Sequence, residues 1–148
     1  MESEGVGKSD VGSVDPSPAE AVNGIVRFGI DSGACTTVLP ARWFKNVSTT
    51  HDMPGQSYRS ASGDKLEDQG GSRLHVKTAS DRNRVIRVRR AAVTKPLMAV
   101  ASILDAGGSV HFGPERSYIV DSSGCEEDLV RKQNVFHLPV RMSVNERQ

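Results

Sequence analysis

Ile25-Val26-Arg27-Phe28-Gly29-Ile30-Asp31-Ser32-Gly33-Ala34-Cys35-Thr36-Thr37-Val38-Leu39-Pro40 decides how the rest of the chain is read. The run before Asp31 is apolar and β-rich, and it stops at the turn formers Asp31-Ser32-Gly33. Thr36-Thr37-Val38-Leu39 is β-branched again and ends at Pro40, which suits a returning strand. A strand, a tight loop and a second strand mount one carboxylate rigidly at the loop tip. A plain Asx-turn at a strand end is the other meaning of the same tripeptide.

Working outward, most segments read as strands. Tyr58 to Leu66 has the form of a hairpin turning at Ser62-Gly63-Asp64, where Gly63 can take positive φ without steric cost. Arg73-Leu74-His75-Val76-Lys77 alternates polar and apolar, as a half-buried strand does, and Val85 to Val93 follows as another. Leu97, Val100, Ala101 and Leu104 recur at i, i+3, i+4 and i+7, which predicts a short amphipathic helix stopped at Gly107-Gly108. Val110-His111-Phe112 and Tyr118-Ile119-Val120 flank Gly113-Pro114-Glu115-Arg116 as a last hairpin. Ala41 to Asn46 reads as a helical turn carrying Trp43, a core or rim aromatic. The expected class is mainly β with one short helix. Residues 1–20 read as a disordered polar leader, 22–120 as the folded domain, and 121–148 as a linker with an isolated short strand at Val135 to Val140.

The chain has 148 residues, room for one core but not for two lobes. Lys+Arg number 19 and Asp+Glu 18, so no global field steers it to nucleic acid or to a membrane. The two cysteines, Cys35 and Cys125, form no C-x-x-C and imply neither a disulfide framework nor a zinc site. His51, His75, His111 and His137 lie far apart with no H-E-x-x-H spacing, so no metal and no cofactor is expected. The first twenty residues carry no apolar signal-peptide core, and no run approaches the ~20 residues that span a bilayer. An intracellular, cytoplasmic protein without a membrane partner is expected.

Peptide hydrolysis without a metal or a nucleophilic side chain needs an activated water. Two adjacent carboxylates can share one proton, so that one acts as base toward water and the other as acid toward the carbonyl oxygen. Asp31 supplies one such group. Ser32 is suited to hydrogen-bond across to a twin loop, and the small Gly33 and Ala34 let two loops approach closely.

Phe28-Gly29-Ile30-Asp31-Ser32-Gly33-Ala34 resembles the apolar-x-x-Asp-Ser/Thr-Gly-Ala signature of retropepsin-like aspartic proteases, the retroviral and retrotransposon type. Tyr58 to Leu66 followed by Gly70 is similar to the flap of retroelement proteases. Leu97 to Gly107 with Val110-His111-Phe112, and Val135-Phe136-His137-Leu138-Pro139-Val140, resemble the closing segments of copia-like elements. The resemblance covers roughly residues 22–140. It implies a small closed β-barrel-like retropepsin fold with one lobe per chain. It implies a homodimer in which Asp31 of each chain forms a catalytic dyad within the loop Ser32, Gly33, Ala34. Ser62, Gly63 and Asp64 would then close over an extended polypeptide substrate, such as a retroelement polyprotein. No second Asp-Ser/Thr-Gly occurs, because Asp121-Ser122-Ser123-Gly124 is one residue out of pattern. Ala99 stands where retroviral relatives place a glycine. The alternative function is therefore a non-catalytic peptide- or protein-binding module on the same fold, a decayed or domesticated copy.

Arg82, Arg84, Arg87, Arg89 and Arg90 form a local basic cluster. Without interleaved aromatics for base stacking it reads as a solvated strand face, and nucleic acid is not expected as a partner. Cys35 reads as a small buried core residue.

Overall fold

A computed structural model describes residues 24–50, 57–59 and 65–143. In chain order its strands are β1 (Ile25–Asp31), β2 (Val38–Pro40), β3 (Ser57–Arg59), β4 (Lys65–Glu67), β5 (Gly71–Thr78), β6 (Asn83–Ala91) and β7 (Leu97–Ala99). After the helix α1 (Val100–Asp105) come β8 (Ser109–His111), β9 (Tyr118–Val120), β10 (Glu126–Asp128), β11 (Val130–Lys132) and β12 (Val135–Met142). The fold is mainly β with one short helix. Strands β1-β7-β2-β6-β5-β12 run side by side, and β12 pairs back onto β1, closing a six-stranded barrel with β11 appended. A three-stranded sheet β10-β9-β8 and the two-stranded β3-β4 hairpin lie beside it.

Strand alternation builds the core. Val26 and Phe28 on β1 are sealed from solvent, and they meet Leu39, Leu74, Val76, Val88, Met98, Leu138 and Val140 in one cluster. Ile119 and Leu129 bring the three-stranded sheet onto the same cluster. Glu127 on β10 is buried, where it accepts hydrogen bonds from Thr78 Oγ1 at 2.8 Å and Ser80 Oγ at 2.6 Å, with Arg82 at 3.3 Å. A buried carboxylate needs such donors, and these fasten the outer sheet to the β5–β6 turn.

Four expectations change. Val135 to Val140 is not an isolated strand: β12 pairs with β1 from Ile25↔Arg141 to Gly29↔His137, and also with β5 and β11. The segment expected to be a linker contributes β10 and β11. The helix begins at Val100 rather than at Leu97, because parallel pairing with β1 holds Leu97–Ala99 extended. None of its residues is buried, and Leu104 is 53% exposed, so the apolar period did not mark a core-facing stripe. Ala41 to Asn46 forms turns without a helix, broken where Phe44 takes φ 50°, while Trp43 is buried in the core as expected.

Candidate active site

Asp31 is the last residue of β1, and its side chain is half-buried. The chain then turns through Ser32 and Gly33, both exposed, and half-buried Ala34 before entering β2. Gly33 N–H donates to Asp31 Oδ1 at 2.8 Å, the Asx-turn bond that orients the carboxylate. Oδ2 takes no hydrogen bond from a described residue, so one oxygen is held by the turn and the other is not.

The loop has a firm foundation. Asp31 stands in register with Ala99 of β7 in a parallel pair that starts at Gly29↔Leu97. Ala99 is completely buried and its N–H donates to Thr37 Oγ1 at 3.1 Å. Thr37 is itself buried, and its carbonyl accepts from Arg89 N–H at 2.9 Å. The strand before the turn, the strand after it and β7 are thus tied together beneath Asp31. The Ala99 methyl is accommodated within this packing.

β3 and β4 pair antiparallel, Ser57↔Glu67, Tyr58↔Leu66 and Arg59↔Lys65, which gives the expected hairpin. Ser62, Gly63 and Asp64 lie outside the described residues, so the site residues expected at its tip are not placed. The base of the hairpin is anchored by a group that sequence reasoning missed. The Asp68 carboxylate accepts from Gly70 N–H at 2.7 Å and from Arg89 Nε and Nη2 at 2.8 and 3.1 Å. That bidentate pair is nearly enclosed, with Asp68 1% and Arg89 14% exposed, which makes it a strong tie between the hairpin and β6. Asp-x-Gly at 68–70 was the available signal, since Asp favours local turns.

The arginine cluster is not a solvated face. Arg90 is buried, with Nε on Ser72 Oγ at 2.7 Å and its terminal nitrogens on the carbonyls of Ala41, Trp43 and Phe44. Arg84 pairs with Asp121 and Arg82 with Glu127, and Arg87 alone of the five shows neither burial nor an ion pair with a described residue. The loop carbonyls and carboxylates that engage these guanidiniums come from distant segments, which is why a local reading assigned them to water.

Cys35 is exposed, not a core residue, because the turn after Gly33 carries it outward. His111 stacks on Tyr118 and His51 falls outside the described residues. Among the described residues no cluster of His, Cys, Asp or Glu has the arrangement of a metal site, and no helix is long and apolar enough to cross a membrane. Comparison with protein-family models, with curated proteins and with solved structures finds no match.

Proposed function

We propose that this protein is an aspartic endopeptidase of the retropepsin type that works as a homodimer, with Asp31 of each chain forming the dyad. The observation that carries the proposal is the Asp31 carboxylate itself. It stands at a strand end, with one oxygen held by Gly33 N–H, the other unengaged by described residues, and a braced strand pair beneath it. The loop sequence resembles that of the family, and a six-stranded barrel with a separate β3–β4 hairpin is compatible with the family's fold.

In the proposed reaction the ionised Asp31 takes a proton from water as the oxygen attacks the peptide carbonyl carbon. The protonated Asp31 of the other chain gives its proton to the carbonyl oxygen. Collapse of the resulting diol breaks the C–N bond as the nitrogen takes up a proton, and the dyad returns to its shared-proton state. The substrate is an extended polypeptide, held by strand pairing near the hairpin. A cleft of about 1460 Å³ reaches the loop base at Thr36 and Thr37 but is not lined by Asp31. A site completed by a second chain is open in one chain alone, so geometry at Asp31 is the better guide than cleft size.

The test is to measure the oligomeric state and the cleavage of a peptide library at mildly acid pH by the parent protein and by Asp31→Asn. Cleavage by a dimer that Asp31→Asn loses is expected. Equal cleavage by both proteins would overturn the mechanism. A dimer that binds peptides and never cleaves them would replace it with the non-catalytic binding module.

A further inference from the structure

Along β1 the side chains alternate, so Asp31 shares its outward face with Gly29, Arg27 and Ile25, while Val26 and Phe28 point into the core. One row from Asp31, Gly29 is flanked in register by Leu97 on β7 and His137 on β12. A Cβ at Gly29 would stand 3.2 Å from Leu97 Cδ2 and 3.9 Å from Val135 Cγ1. The missing side chain therefore lets Leu97 and Val135 converge over the strand. Val135 remains 45% exposed there, on the outside of a barrel, where apolar side chains have no core to join.

Cations surround this floor. Arg27 precedes Gly29 on the same face, Lys95 lies just before β7, and Lys132 is the cross-strand partner of Val135. No carboxylate among the described residues forms an ion pair with any of the three. Burial, and then the charges of Arg27, Lys95 and Lys132, hold His137 below the ordinary imidazole value. His137 Nδ1 is buried there, and no hydrogen bond to it meets the distance and angle of a normal bond among the described residues.

We propose that this face is a specificity surface of the Asp31 site that takes an acidic side chain, glutamate above all, from an extended polypeptide. The glutamate methylenes lie on Leu97 and Val135 and its carboxylate faces Lys95, Lys132 and Arg27. This rests on the endopeptidase reading for the identity of the polypeptide as substrate. Spacing supports the placement. A strand rises roughly 3.3 Å per residue, so a peptide whose scissile bond lies at Asp31 carries a nearby side chain over the Gly29 row. Charge complementarity selects the occupant: an apolar side chain would leave three cations facing it unanswered, and a basic one would be repelled.

The experiment uses the full chain carrying Asp31→Asn, so that binding is read without turnover. Fluorescent extended peptides that differ only by Glu, Gln, Leu or Lys at one scanned position are titrated by anisotropy. The peptide with Glu at the responsive position should bind about tenfold tighter than its Gln twin, an advantage that shrinks with added salt. Lys95→Glu with Lys132→Glu, both at exposed positions, should reverse the preference toward Lys; Lys95→Gln alone should weaken it if the double variant fails to fold. Equal binding of Glu and Gln peptides at every position would overturn the proposal. Cleavage by the parent chain separates the two claims. If the parent cleaves Glu and Gln peptides equally, the surface is refuted and the protease stands. If nothing is cleaved while Glu peptides still bind best, the protease is refuted and the acidic-peptide surface stands.

Discussion

Two aspartates in this chain head turns of similar composition, Asp31-Ser32-Gly33-Ala34 and Asp121-Ser122-Ser123-Gly124. At the first, the carboxylate accepts one described hydrogen bond, from Gly33 N–H. At the second, Oδ1 accepts three, from Ser123 N–H at 2.9 Å, Ser123 Oγ at 2.7 Å and Cys125 N–H at 3.0 Å, and Oδ2 meets Arg84 at 2.6 Å. The Ser123 hydroxyl and the Cys125 amide, ahead of Arg84, pull Asp121 down to about 2. A carboxylate so saturated with donors holds its charge and shares no proton, so it works as a fastener. The second turn carries one inserted serine, Ser123, whose hydroxyl and amide both donate to the carboxylate.

The largest effect that can break this contrast is on activity. Asp31→Asn should lower peptide cleavage by about a hundredfold to ten-thousandfold, the range typical of removing a general acid–base group. Its melting temperature should stay close to that of the parent, because the Gly33 N–H finds the same acceptor in an amide oxygen. A large fall in melting temperature instead would mean that Asp31, like Asp121, is a fastener.

The second effect is on the foundation of the first turn. Thr37→Val is close in shape but leaves the buried Ala99 N–H without its acceptor. Loss of that bond should cost roughly 1–3 kcal/mol in urea unfolding, with Thr37→Ser recovering most of it. No loss in Thr37→Val would mean that β7 is held under Asp31 by strand pairing alone.

Asp121→Asn belongs next, with the sign set by linkage. The folded-state value of Asp121 is depressed to about 2 from an ordinary 3.8. Its contribution to stability is therefore complete above pH 3.8 and is lost as pH falls toward about 2. Asp121→Asn should lack that component, showing a shallower acid limb in thermal denaturation, while cleavage per folded molecule at pH above 3.8 stays unchanged. An unchanged acid limb would remove the basis of the comparison. His137 adds an independent fall at higher pH. Its folded value is lowered, so protonation below the ordinary value of 6.5 favours the unfolded chain, and His137→Gln should flatten that shoulder.

The two turns also show what was legible before the fold was known. The Asp31 turn was legible because it is local: strand, turn and returning strand all lie within one stretch of sequence. The β5–β6 and β8–β9 hairpins were legible for the same reason, since alternation and nearby turn residues announce them. The role of β12 was not, because closing a barrel onto β1 is a pairing between distant parts of the chain that no local period encodes. Leu97–Ala99 fits a helical apolar period and is extended because β1 is available to pair with it, a tertiary contact overriding a local preference. The fate of the arginines was hidden in the same way. Arg90 sits on the buried face of β6, but only the folded 41–47 loop brings its carbonyls to it.

The smallest effect tests why Asp121 is held so low. The Arg84–Asp121 pair is short, 2.6 Å, and invites a charge explanation, yet its side chains are 34% and 32% exposed. Water screens a pair at that depth, whereas a hydroxyl bond acts at contact and orders no long side chain. Ser123→Ala should therefore raise the Asp121 midpoint, followed by NMR of its carboxyl carbon, more than Arg84→Gln does. High salt should erase most of the Arg84 effect and little of the Ser123 effect. If Arg84→Gln moves the midpoint further, the second turn is governed by charge, and the inserted serine is not what distinguishes the two aspartates.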